Sequence, residues 1–164
     1  RMSCYSVSRM SSAGGNRRTT SWPGACARAQ SYMPDLEQAR LYIVMAKKDL
    51  DAVKRIVGDD GFAEEVFGFH AQQAAEKAMK AWLCVIGQSV PRTHDLEYLE
   101  LLLNQRGAQL PNPEFDVALV TSFGVTFRYE PYPLSDGALD RSWLAEEIEK
   151  IVRHVESVVE STSA

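Results

Sequence analysis

At 164 residues, with 45% hydrophobic and 24% charged content, the chain can bury the core of one ordinary globular domain and needs no second. No window approaches the roughly 18 consecutive apolar residues of a membrane span, and an expected soluble chain follows. The net charge of −4 divides unevenly: the five arginines before Met33 (Arg1, Arg9, Arg17, Arg18, Arg28) meet no acid and carry +5. The remaining 13 basic and 22 acidic residues carry −9, which excludes a broad nonspecific duplex-binding surface.

Residues 1–33 are rich in Ser, Gly, Arg and Thr, show no period of 2 or 3.6, and read as a disordered basic segment. They lack the apolar run of a secretory signal; they have the Arg- and Ser-rich, acid-free look of an organellar transit peptide and could serve as an RNA-binding arm, but Met33 is favoured as the natural start, with the upstream stretch translated from a misplaced start codon. From Asp35 to about Val57, Leu36, Ala39, Leu41, Ile43, Val44, Leu50, Val53 and Val57 predict a first helix, with Lys47, Lys48, Lys54 and Arg55 on its wet side and Gly58 closing it. Asp59-Asp60-Gly61 is then expected to cap a second helix over Phe62 to Ile86. Along it Phe67, Ala71, Ala74, Ala78, Ala81 and Val85 make a stripe of small side chains that another helix can approach closely, and Glu76 and Lys80 stand at i,i+4.

Gln88 to Arg92 breaks that helix, and Thr93 can cap a third one, from about His94 to Gln105, that buries Leu96, Leu99, Leu102 and Leu103 before Gly107. Asn112-Pro113 predicts a fourth helix from Glu114 to Phe127. After a loop holding Pro131 and Pro133, Ser135 or Asp136 caps a last helix with Leu139, Trp143, Leu144, Ile148, Ile151, Val152, Val155 and Val159 inward. No strand pair is predicted. The fold class is all-α, a four- or five-helix up-and-down bundle over residues 34–161, with a tail at 162–164.

Cysteine usage fits a reducing cytoplasm: Cys4, Cys26 and Cys84 have no zinc-like or disulfide-like spacing, and Cys84 reads as a small apolar core residue. The chain has no Gly-rich phosphate loop, HExxH, GxSxG, CxxC or Glu-x-x-His pair, so the common phosphotransferases, zinc peptidases, serine hydrolases and di-iron bundles do not fit, and no metal or other cofactor is expected. Chemistry therefore falls to a few residues. His154 suits a helix-end role, and His70 sits beside the alanine stripe. His94 lies where a loop enters a helix, with Arg92 as a phosphate-compatible fork and helix amides that attract anions, although Thr93 and Asp95 can equally be plain caps. Arg128, between Phe127 and Tyr129 and near Tyr132, can bind a phosphate while a tyrosine ring stacks on a base, or can simply complete a helix end.

The block FHAQQAAEKAMKAWL from Phe69 to Leu83, followed by PRTHDL from Pro91 to Leu96 and by Arg128-Tyr129, resembles prokaryotic HEPN domains over roughly Asp35 to Val159. The resemblance implies a compact helical bundle, frequent homodimerisation, and work with a minimal nucleotidyltransferase partner in a toxin–antitoxin-like system. Nucleotide or RNA binding is expected at Arg92, His70, Tyr129 and Tyr132. Many members are metal-independent RNases with an arginine followed, after four to six residues, by a histidine. Arg128 matches the arginine, but Pro133, Leu134 and Ser135 occupy the histidine positions, so in a ribonuclease His94 or His70 would have to join Arg128. A non-catalytic helical interaction module is the third reading.

Overall fold

The computed structural model describes residues 33–133 and 139–162. The basic segment 1–32, the cap expected at Ser135 or Asp136, and the last two residues of the expected tail lie outside them. Five α-helices are present: α1 (Leu36–Ile56), α2 (Glu64–Val85), α3 (Leu96–Asn104), α4 (Ala118–Val125) and α5 (Arg141–Thr162), with a 3-10 turn at Thr126–Arg128 continuing α4. No strand occurs among the described residues.

The helix directions follow from cross-helix contacts. The Asp35 N–H donates to the Cys84 carbonyl at 3.1 Å, so the start of α1 meets the end of α2. Lys47 and Lys54 of α1 reach Glu156 and Glu149 of α5 at 2.6 and 2.7 Å, which makes α1 and α5 antiparallel. At the other end Arg141 binds Glu64 at 2.9 Å, returning the chain to the start of α2. The bundle is therefore up-and-down, its third leg divided between the short helices α3 and α4.

Helix α2 is the axis of the core. Phe67, Ala71, Ala74, Ala78 and Ala81 are fully buried, and Cys84 and Val85 nearly so, as the alanine stripe implies. Burial pushes the Cys84 thiol up to about 11 and leaves it inert. The helix ends in a Schellman motif: Gln88 N–H bonds the Leu83 carbonyl and Gly87 N–H the Cys84 carbonyl, at 2.9 and 3.2 Å. This turn needs the left-handed backbone at Gly87, where φ is 65°.

Small residues also set how closely α4 crosses α2. A Cβ built on Gly68 would lie 2.2 Å from the Phe123 ring, and one on Gly124 would lie 2.6 Å from the Gln72 amide carbon. Phe123 then stacks on Tyr132 at 5.5 Å between centroids, with Phe127 edge-on to Tyr132 at 5.4 Å.

Several local expectations are corrected. Ala63, not Asp59 to Gly61, is the N-cap of α2 and makes no side-chain cap bond; Asp59 instead accepts from Gly61 N–H at 2.9 Å. The fourth helix starts at Ala118, because the Asn112 side chain closes a separate turn by accepting from Glu114 N–H and donates to the buried Glu147 of α5. Asp140 caps α5, accepting from Trp143 N–H. Leu41 and Val44 face outward, 56% and 52% exposed, since the core stripe of α1 runs through Ala39, Ile43, Ala46, Leu50 and Val53. Trp143 is 40% exposed, lying edge-on to Phe115 rather than in the core.

Gly68→Ala is expected to destabilise the fold by about 2 kcal/mol in urea unfolding, because overpacking against Phe123 outweighs the roughly 1 kcal/mol gain in helix propensity. Gly58→Ala, which meets no atom within 4 Å, is expected to leave the midpoint unchanged; equal behaviour of the two variants would refute the close crossing.

Candidate functional site

Gln72, Glu76 and Lys80 recur every fourth residue, so they form one row along α2, beside the buried alanines. All three are buried, at 0%, 4% and 8% exposure, and they grip the loop that leads into α3. Gln72 Nε2 donates to the His94 carbonyl at 3.0 Å, and Lys80 Nζ to the Thr93 carbonyl at 2.8 Å. Between them the Glu76 carboxylate accepts from Lys80 at 2.8 Å, from Gln72 at 2.8 Å and from His94 Nδ1 at 3.0 Å. An ionised carboxylate can only accept, so the His94 proton in this bond sits on Nδ1 and Nε2 is left for whatever approaches.

Burial alone pushes the Glu76 carboxyl up, but the bonds from Lys80, Gln72 and His94 outweigh it and hold the group below its usual range. Glu76 is thus an anchor for an imidazole whose side chain remains 55% exposed. Arg92, two residues earlier on the same loop, is exposed as well.

The anion-attracting helix end expected at α3 is taken by the chain itself. Asp95, not Thr93, is its N-cap, accepting from Tyr98 N–H at 3.0 Å, while Thr93 Oγ1 accepts from Asp95 N–H at 3.1 Å. A carboxylate therefore already occupies the N-terminal amides, and any anion recognition here belongs to the side chains of Arg92 and His94.

The other candidates fall into separate places. His70 Nδ1 bonds Asp49 Oδ1 of α1 at 3.0 Å, and Lys77 holds the second Asp49 oxygen, a repeat of the carboxylate–lysine–imidazole arrangement on the α1 side of α2. His154 lies in contact with the Trp82 ring, 4.8 Å between centroids. Tyr132 packs on Phe123 and Phe127, and its N–H donates to Glu65 Oε1 at 2.6 Å, a bond that lowers the Glu65 carboxyl. Tyr129 is 85% exposed. Arg128 ends the 3-10 turn, and its side chain lies outside the described residues. Its backbone follows Gly124 by four residues, and Gly124 rests on the same Gln72 amide that binds the His94 carbonyl.

Among the described residues no group of three His, Cys, Asp or Glu could hold a metal ion, and no helix is long and apolar enough to cross a membrane.

An all-helical bundle in which a buried polar row on the second helix presents a loop histidine is the class these features define. The family model of the HEPN domain matches residues 39–163, and the chain belongs to that family. No curated protein and no solved structure matches it. The membership joins the chain to domains concerned with nucleotides and RNA.

Glu76→Gln tests the anchor. A carboxyl held below its usual 4.5 in the folded state contributes stability that is present above that value and is lost as pH falls through the folded one. The stability difference between wild type and Glu76→Gln is therefore expected to be largest near pH 7 and to shrink below about pH 4.5, where the carboxyl of the unfolded chain begins to protonate while the folded one is still ionised. A difference that stays constant down to about pH 3 would remove the ionised anchor.

Proposed function

We propose that this HEPN-domain protein binds a nucleotide or RNA through Arg92 and His94 and acts with a minimal nucleotidyltransferase partner in a toxin–antitoxin-like system. The observation that carries the binding site is the bond from exposed His94 to buried Glu76. Taking a carboxylate out of water is costly unless it is paired and bonded, and an alanine at position 76 would extend the apolar surface of α2 just as well. What the carboxylate adds is a fixed imidazole. Together with the two carbonyl bonds from Gln72 and Lys80 it holds the loop in one conformation before any ligand arrives, so little ordering remains to oppose binding. Arg92 supplies a charged fork for phosphate oxygens beside it. The nucleotidyltransferase partnership rests on the resemblance of the Phe69–Leu83 and Pro91–Leu96 blocks.

A second reading, RNA cleavage without a metal, is favoured by the same bond. An imidazole with Nδ1–H on a carboxylate is oriented to accept a proton at Nε2, here from a ribose 2′-hydroxyl. The 2′ oxygen would attack phosphorus, and the 5′ oxygen would leave with a proton from water, with Arg128 as the charge on the phosphate. By the resemblance Arg128 matches the family arginine, and Pro133 to Ser135 offer no histidine to complete that motif.

Titrating the protein with labelled single-stranded RNA and with mononucleotides, with metal chelated, separates the readings. Binding is expected to raise the melting temperature and to weaken about tenfold in Arg92→Ala and His94→Ala, as loss of a charged hydrogen bond requires. Cleavage that disappears in His94→Ala selects the second reading. If neither ligand shifts the melting temperature, both fail and an interaction module remains.

A further inference from the structure

The outward face of α1 carries a pattern that the bundle does not use. Leu41, Val44 and Met45 are 56%, 52% and 44% exposed and form a short apolar patch. Around it on the same face stand Glu37 and Arg40 toward the start of the helix, and Lys48, Asp51 and Arg55 toward its end, all exposed. Glu37, Arg40, Lys48, Asp51 and Arg55 make no ion pair among the described residues, and Asp51 acts on Lys47 one turn away only as a minor electrostatic influence. The lysines that do serve the bundle, Lys47 and Lys54, are bound to Glu156 and Glu149 on α5.

An acid–base order at one end of a helix that recurs at the other end is self-complementary when the helix meets a reversed copy of itself. We propose that α1 is the contact between two copies of this chain, packed antiparallel about a two-fold axis near Met45 and Ala46. In that register Glu37 of one copy stands opposite Arg55 of the other, and Arg40 opposite Asp51. Symmetry makes each pair occur twice. The apolar centre is closed by Met45 meeting its counterpart and by the alkyl stem of Lys48 lying over Val44. A parallel arrangement would place each charge beside its own like, so only the reversed one gains from the pattern. Family membership leads one to expect a dimer and says nothing of which surface of this chain forms it.

The arrangement also bears on the polar face of α2. Met45 lies one turn before Asp49, the residue that holds His70 and Lys77. The two Asp49 residues would be offset by about 9 Å along the paired helices, six residues at the ordinary helical rise. Both copies would thus show a His70–Lys77 cluster beside the same seam.

A contact built on one helix of 21 residues is small, at the low end of stable interfaces, and a dissociation constant of about micromolar order follows. Sedimentation equilibrium of the full chain from about 1 to 200 μM is expected to show a monomer–dimer equilibrium. Val44→Glu is expected to weaken it at least tenfold. Arg40→Glu is expected to weaken it about tenfold by replacing two attractions with two repulsions, and adding Asp51→Arg to that variant should restore the wild-type constant. Circular dichroism checks that each variant folds. A chain that stays monomeric throughout, a dimer indifferent to Val44→Glu, or a double variant that remains weakened would each overturn the assignment; the second or third result would move the contact elsewhere on the molecule.

Discussion

The Glu76 carboxylate is the constraint around which the loop that carries His94 is arranged. It lies on the helix that every other helix touches, it is almost fully buried, and its two oxygens collect bonds from four different residues. Remove its charge and Lys80 is left buried without a counterion, Gln72 loses its fixed orientation, and His94 loses the bond that sets its tautomer. A buried charge of this kind contributes little to net stability compared with an apolar residue of similar size. What it contributes is definition. The loop from Pro91 to Asp95 crosses α2 at one height because two side-chain donors and one acceptor, each a helical turn apart, fit only that placement.

Much of the fold was legible in the sequence because the signals were redundant. The α2 stripe could be read at six positions from Phe67 to Val85, all of them buried. The α5 stripe was equally periodic from Leu144 to Val159. Where a position had to be assigned from hydrophobicity alone, the reading failed. Leu41 and Val44 look like core residues, yet they belong to the outer face of α1. Trp143 looks like an anchor and lies at the rim. Caps were misassigned because several polar residues stood within one turn of each helix start, and the backbone angles that choose between Asp59, Ala63, Thr93 and Asp95 are set by tertiary contacts.

The candidate site was legible only in part, for a different reason. His94 and Arg92 stand out by their position before a helix, but the partner of His94 is 18 residues away, on a helix that reads as an ordinary core element. One sign was available: Gln72, Glu76 and Lys80 form a polar row directly beside the alanine row, closer to the core than solvated residues need to be. The i,i+4 spacing of Glu76 and Lys80 predicts that they pair but not that the pair is buried, as it is. The family model covers residues 39–163 and agrees with the fold; the row is the physical observation on which the proposed binding site rests.

Arg141 has a consequence of another kind. Its guanidinium is bound to the Glu64 carboxylate and to the carbonyls of Asp59 and Phe62, and it lies over the Phe67 ring, 5.5 Å from the centroid. These hydrogen bonds join residues 77 to 82 positions apart, so the chain must close a long loop before any of them forms. Contacts of that separation are gained late in folding, after local pairs such as α1 with α2 have repaid their own ordering. The first turn of α5 is thus a latch rather than a nucleus. Its release would free the α1–α2 corner, while the Schellman turn at Gly87 closes the opposite end of the same helix. The two ends of α2 are thus held by different means, one by contacts distant in the chain and the other by a local turn.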